Sequence, residues 1–217
     1  MGSRKEDVLC IPCGGTFNIR IDSIKRSILH HGIYKCRSCA NKKKLFGVGI
    51  NDADYPTNGC PYYIKWNSML RRCYGEVTEA YKGVTVCEEW LTLSKFTSWM
   101  VTQKWEGLQL DKDILHIGNK LYAPENCCFV SGALNTAMVG IDSKGYITKG
   151  NSHTARVKMY GNQVYLGTYS TTEDATNAFR NGKADYIEML SKDITSPRIL
   201  AGLKKHIERL QDGEFRK

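Results

Sequence analysis

The 217 residues amount to one large domain or two to three small ones at about 150 residues per domain, and with 24% charged and 41% hydrophobic residues they exclude a wholly disordered or fibrous chain. No window approaches about 18 uncharged apolar residues and Met1 to Asp7 leads with charge, so no spanning helix or secretory signal is expected, and the sequence predicts a soluble, cytoplasmic protein with no membrane partner. A net charge of +9, from 31 Lys and Arg against 22 Asp and Glu, favours a polyanionic partner through Coulomb attraction and counterion release, with nucleic acid as the first candidate.

The composition and patterning predict an α+β protein in four segments. The first, residues 1–45, holds two knuckles, Cys10-Ile-Pro-Cys13 and Cys36-Arg-Ser-Cys39, followed by the basic run Lys42, Lys43 and Lys44. Four thiolates at about 2.3 Å close a tetrahedral zinc site. The separation of the pairs fits a zinc ribbon, with Phe17, Ile19 and Ile21 alternating on a strand, and Cys10, Cys13, Cys36 and Cys39 holding a structural Zn²⁺. So short a segment buries little apolar area, and the metal would supply the missing folding free energy. The alternatives are plain burial, a redox-active pair, or His30 or His31 in place of one cysteine. The other five of the nine cysteines (Cys60, Cys73, Cys87, Cys127 and Cys128) lack paired spacing and are expected to be reduced and mostly buried.

The second segment, residues 46–139, opens with Trp66, Met69, Leu70 and Cys73 at helical spacing, which leaves Lys65, Arg71 and Arg72 for solvent or a ligand. A helix is predicted over 93–101 with Phe96, Trp99 and Met100 inward. Residues 108–130 read as strand, turn, strand, broken at Gly118-Asn119 and Pro124-Glu125-Asn126. The third segment, residues 140–194, contains three short strands at 145–149, 154–159 and 163–166, with Tyr160-Gly161-Asn162 as a tight turn. A helix with a capping-box start at Thr171 and Asp174 follows, its apolar face carried by Ala175, Ala178, Phe179, Gly182, Tyr186 and Leu190. The fourth, residues 195–217, is a closing helix begun by Ser196-Pro197, with a stripe of Ile199, Leu200, Leu203, Ile207 and Leu210.

The run Leu110-Asp111-Lys112-Asp113, then Tyr122-Ala123-Pro124-Glu125-Asn126-Cys127, then Asn135 resembles the catalytic hairpin and helix of the HNH (ββα-metal) endonucleases. The stretches Trp66 to Tyr74 and Val84 to Trp90 resemble segments of phage HNH homing endonucleases, so the likeness spans about residues 47–138. It implies that Asp111 and Asn135 hold one catalytic Mg²⁺ or Mn²⁺ through hard oxygen ligands, that Asn126 orients the catalytic residue, and that Arg71 and Arg72 contact the DNA backbone. Where the family has its general-base histidine, this sequence has Lys112. Bringing a lysine from about 10.4 to about 7 costs on the order of 4 kcal/mol, so Lys112 reads as a phosphate clamp and nearby His116 as the candidate base.

Residues 144–190 resemble an APETALA2-type DNA-binding domain, on Tyr165 to Ala175 and Thr154-Ala155-Arg156-Val157-Lys158. That family lays a three-stranded sheet in the major groove with one helix behind it. Period two sends Arg156, Lys158 and Tyr160 to one face, with Tyr165 where the family has tryptophan; Arg156 would read guanine, Gln163 adenine, and Lys149 and Lys158 would meet phosphates. The resemblances together imply a site-specific, Mg²⁺-dependent DNA endonuclease of the phage homing type, acting in the bacterial host cytoplasm on double-stranded DNA as a monomer that nicks or as a homodimer. The competing expectation is a sequence-specific DNA-binding protein whose HNH site is degenerate.

Overall fold

The computed structural model describes residues 4–41 and 44–213; Lys42 and Lys43 of the basic run lie outside the described residues, and Lys44 is exposed. The chain is mixed α+β and forms two compact units, Met1–Asn51 and Asp52–Lys217. Among the described residues no helix is long and apolar enough to cross a membrane.

In the first unit, β1 (Lys5–Leu9) and β2 (Thr16–Arg20) pair antiparallel, Leu9 opposite Thr16 and Lys5 opposite Arg20. Cys10 and Cys13 sit in the hairpin turn, where the Cys10 carbonyl accepts from the N–H groups of Cys13 (3.3 Å) and Gly14 (2.8 Å). Ile21 does not extend the strand as the ribbon reading expects. It opens α1 (Ile21–His31), ended by Gly32 in the left-handed conformation, and a short α2 (Arg37–Asn41) carries Cys39 directly after Cys36. The apolar alternation of Phe17, Ile19 and Ile21 does not separate a strand from a strand that turns into a helix, since Ile21 begins a helical stripe with Ile24 and Ile28 equally well. α1 buries no residue fully, and the unit's core is Cys10, Tyr34 and Cys36 with Val8, Phe17, Ile19 and Ile24 packed around them.

The second unit begins with α3 (Pro61–Tyr74), Pro61 at its first position, which buries the expected stripe of Trp66, Met69, Leu70 and Cys73. The Trp66 indole donates to the Trp90 carbonyl at 2.7 Å. A short β3 (Thr85–Val86) precedes α4 (Leu93–Met100), which buries Leu93, Phe96 and Met100 and lays Trp99 against Trp90 and Phe129. β4 (Gln109–Asp111) pairs antiparallel with β6 (Cys128–Val130), while β5 (Leu121–Tyr122), from the turn between them, pairs parallel with β3. The helix α5 (Gly132–Met138) follows, capped by the Ser131 hydroxyl, which accepts from the Leu134 N–H at 3.2 Å.

Three antiparallel strands come next: β7 (Tyr146–Lys149), β8 (Ser152–Met159) and β9 (Asn162–Tyr169). The β8–β9 turn holds Tyr160 and Gly161 both at positive φ, 48° and 87°, the hairpin geometry in which glycine removes the strain at the second position. α6 (Thr172–Ser191) starts on the expected Thr171–Asp174 cap and packs behind the sheet. It also buries a second face, including Lys183, Ala184 and Ile187, because α5 and α7 (Pro197–Asp212) cover it from the other side. One cluster unites Ile114, Leu115, Val130, Leu134, Ile187, Leu203 and Leu210. The divisions expected at 139/140 and 194/195 therefore fall inside a single unit with a shared core.

Gly202 sets how closely α7 approaches. A Cβ there would lie 2.4 Å from the Ile114 carbonyl oxygen and 3.1 Å from the Leu115 Cα, backbone atoms that cannot swing away. We expect Gly202→Ala to destabilise the protein by about 2 kcal/mol, because overpacking of about 1–3 kcal/mol or more outweighs a helix-propensity gain of about 1 kcal/mol. Thermal unfolding followed by circular dichroism should show a fall of roughly 4–8 °C; an unchanged or raised midpoint would refute the close approach.

Candidate functional site

The residue types that carry chemistry converge at the end of β4. Asp111 terminates the strand, and its Oδ1 accepts from the N–H groups of Asp113 and Ile114, both at 2.8 Å, so the carboxylate nucleates the turn that follows. Burial pushes the Asp111 carboxyl above its ordinary range; the two N–H donors and the Lys112 charge oppose that without overcoming it. An acid in this condition gains from a cation. Asn135 projects from α5, its Nδ2 donating to the Gln109 side chain at 2.6 Å, and its amide oxygen has no hydrogen-bond partner among the described residues.

Asp111 and Asn135 line the same cleft of about 520 Å³, together with Lys112, Arg72, Tyr81 and His206. Lys112 is buried in the turn. Its ammonium donates to both carboxylate oxygens of Asp113 at 2.7 Å and to the Asn119 carbonyl at 3.1 Å, and Tyr81 lies 5.9 Å away under the charge. Three donors meet three acceptors, so Lys112 is the staple of the 111–119 loop. Asn119 completes that loop by donating to the carbonyls of Lys112 and Leu121.

Two of the expected residues stand elsewhere. His116 is exposed and does not line the cleft, and Asn126 donates to the Leu121 carbonyl at 3.3 Å, holding the turn rather than reaching the cleft. Of the two candidate backbone contacts, Arg72 lines the cleft beneath Tyr81 and Arg71 is exposed. Lys65, expected toward solvent or a ligand, donates to the Leu108 carbonyl.

His206 is the residue that motif reasoning missed. It comes from α7, is 3% exposed, and its Nε2 lies 3.1 Å from the Asp113 carbonyl oxygen. A carbonyl can only accept, so Nε2 carries the proton. Burial lowers the His206 pKa, although the Asp113 carbonyl and the Asp111 charge pull the other way, which keeps the ring neutral at pH 7. Nδ1 is then a buried lone pair without a partner among the described residues. The signal was present in the stripe Ile199, Leu203, His206, Leu210, whose spacing places a histidine on an apolar helix face.

The sheet supplies the second candidate surface. Cross-strand register sets Arg156 opposite Tyr165 and Lys158 opposite Gln163, all four exposed, while Ala155 and Val157 are buried toward α6. Lys149 and Ile147 are exposed on β7, and Thr154 and Thr168 share a 3.0 Å hydroxyl contact. Among the described residues no carboxylate pairs with Lys149, Arg156 or Lys158. Tyr160 leaves this face: its N–H donates to the Tyr186 hydroxyl of α6 at 2.8 Å and its ring packs edge-on against that residue.

No family model, curated protein or solved structure matches this chain.

The cysteine cluster is the third site. The sulfur atoms of Cys10, Cys13, Cys36 and Cys39 all lie within 4.8 Å of one another, and all nine cysteines are free thiols. The Cys36 N–H points at the Cys10 sulfur at 3.2 Å and the Cys39 N–H at the Cys36 sulfur at 3.5 Å. Burial pushes the Cys10 thiol up, but the backbone N–H groups of Cys36 and Cys13 and those residues' thiols bring it to about 7, whereas burial and the neighbouring thiols of Cys36, Cys13 and Cys10 push Cys39 up to about 12. Four converging thiols that cannot all ionise unaided suit a structural metal such as zinc, whose charge stabilises every thiolate at once. His30 and His31 are exposed and outside the cluster, and of the remaining cysteines Cys73, Cys127 and Cys128 are buried.

Proposed function

We propose that the chain is a site-specific, divalent-metal-dependent DNA endonuclease of the HNH type, with an APETALA2-like sheet reading the duplex. The observation that carries this is the cleft shared by Asp111 from β4 and Asn135 from α5, two residues 24 positions apart. One carboxylate oxygen and one amide oxygen form a hard donor set, and the raised Asp111 carboxyl is the group such a set needs a cation to satisfy. When bound, Mg²⁺ or Mn²⁺ would neutralise charge on the scissile phosphate.

The chain's own groups divide the remaining work. Arg72 places a permanent positive charge in the cleft for a non-bridging phosphate oxygen. Lys112 keeps the 111–119 loop closed so that Asp111 stays aimed, and neutral His206 fixes the Asp113 carbonyl from below. Arg156, Lys158, Gln163 and Tyr165 present donors and a ring to a groove, with Lys149 at the rim for phosphate. One cleft of this kind per chain cuts one strand.

A second reading draws on Lys112. It occupies the position of the family's base, and all its donors are engaged, so the site would bind the duplex without cutting it. Supercoiled plasmid separates the two: the endonuclease yields nicked circles in Mg²⁺ or Mn²⁺ and none in EDTA, where a gel shift persists. A protein that shifts DNA but nicks none of it in either metal is a binder only, and one that neither shifts nor nicks refutes both readings.

A further inference from the structure

The strands of the three-stranded sheet are unequal, and the vacancy this leaves is chemically distinctive. β8 runs to Met159, but its pairing with β7 ends at Tyr146 opposite Ala155, and the Arg156 N–H closes the ladder on the Gly145 carbonyl at 3.0 Å. Backbone N–H groups alternate along a strand, so the Lys158 N–H points to the same side as that of Arg156 and meets no β7 residue there. A recess of about 400 Å³ opens at this place.

Its lining is cationic. Arg156 and Lys158 enter from β8, Gln163 from β9, Ser143 from the incoming chain, and Lys183 from α6 behind the sheet; no carboxylate contributes. Lys183 is 4% exposed, yet its ammonium has one hydrogen bond, to the Val139 carbonyl at 3.0 Å, and the Phe179 ring at 6.0 Å. Two of its three N–H groups are uncommitted among the described residues. A buried ammonium without a counter-charge is costly to fold around, and burial accordingly lowers the Lys183 pKa. An anion in the recess removes that cost.

We propose that this recess seats one phosphate group, held by Lys183, Lys158 and the Ser143 hydroxyl, beside the Arg156 that faces the groove. The proposal rests on the DNA-binding reading for the source of that phosphate: Arg156 and Lys158 belong to the outward face, so a backbone crossing the sheet passes the recess. Free phosphate has the same chemistry and is the other source.

Lys183→Met tests it, because methionine replaces the buried stem without the charge and should leave the melting temperature near wild type. In a salt titration of duplex binding, the slope of log K against log salt should fall in magnitude by about 0.9, the value of one phosphate contact. In parallel, inorganic phosphate added to DNA-free wild-type protein should produce saturable ¹⁵N shifts at the Ser143 and Lys158 amides that Lys183→Met abolishes. An unchanged slope with duplex binding intact, and no phosphate-dependent shifts, overturns the recess while leaving the DNA reading in place. Phosphate shifts in a wild-type protein that binds no duplex support the recess as a free-phosphate site and overturn the DNA reading. Should Lys183→Met fail to fold, the wild-type phosphate titration decides: saturable shifts uphold the site and their absence removes it.

Discussion

Asp111→Asn is expected to reduce metal-dependent nicking by roughly 10³-fold, about 4 kcal/mol of transition-state stabilisation, while duplex affinity in EDTA stays within about twofold. The substitution isolates charge from structure. Asparagine keeps an oxygen where Asp111 Oδ1 accepts from the Asp113 and Ile114 N–H groups, so the turn survives. It removes the negative charge that would bind the divalent ion. Asp111→Ala removes both, and leaving the Asp113 and Ile114 N–H groups without their shared acceptor should cost a further 1–3 kcal/mol or so of stability. Nicking rates, gel shifts and melting curves on the three proteins separate the contributions. Undiminished nicking by Asp111→Asn would exclude Asp111 as a metal ligand and with it the endonuclease assignment of this cleft.

The parts of this arrangement that were legible in the sequence are the local ones. The stripe Trp66, Met69, Leu70, Cys73 shows its period within eight residues, the Thr171–Asp174 cap within four, and the Tyr160–Gly161 turn within two, and each has the structure its spacing dictates. The pairing of β5 with β3 was not legible. It joins Leu121 to Thr85 across a connection that leaves no mark on either two-residue strand. The same limit hid His206: its ring reaches the Asp113 carbonyl from a helix, α7, that Gly202 lets press on the Ile114 backbone, a contact between segments 88 residues apart in the chain. Lys112 illustrates a different gap. Its residue type allowed a phosphate clamp, but the flanking Asp113 and the Asn119 carbonyl claim all three donors, and the loop geometry that makes this possible is set by Asn119 bonds no spacing rule encodes.

Removing the metal from the cysteine cluster is expected to unfold the first unit while the second keeps its transition. The core there, Cys10, Tyr34 and Cys36 with five partly buried neighbours among the described residues, is too small to offset the conformational entropy of its strands and helices, and α1 contributes no fully buried residue. Structural zinc in small domains contributes apparent binding free energies of about 10–16 kcal/mol near pH 7, and in such domains that energy is folding energy. Cys36→Ser removes one of the four converging sulfur atoms, so this protein should retain well under one zinc per chain and lose the helical signal of α1. The wild type should hold about one zinc by elemental analysis and release it on acidification, because protons compete with the metal for the cysteine thiolates. Heating then discriminates the units: apo protein and Cys36→Ser should lose the transition of the first unit and preserve the cooperative melt of the second, whose core runs through Ile114, Leu134, Ile187 and Leu203 without any cysteine of the cluster. A metal-free protein with the wild-type helical signal would mean that the four thiols stabilise the unit by packing alone.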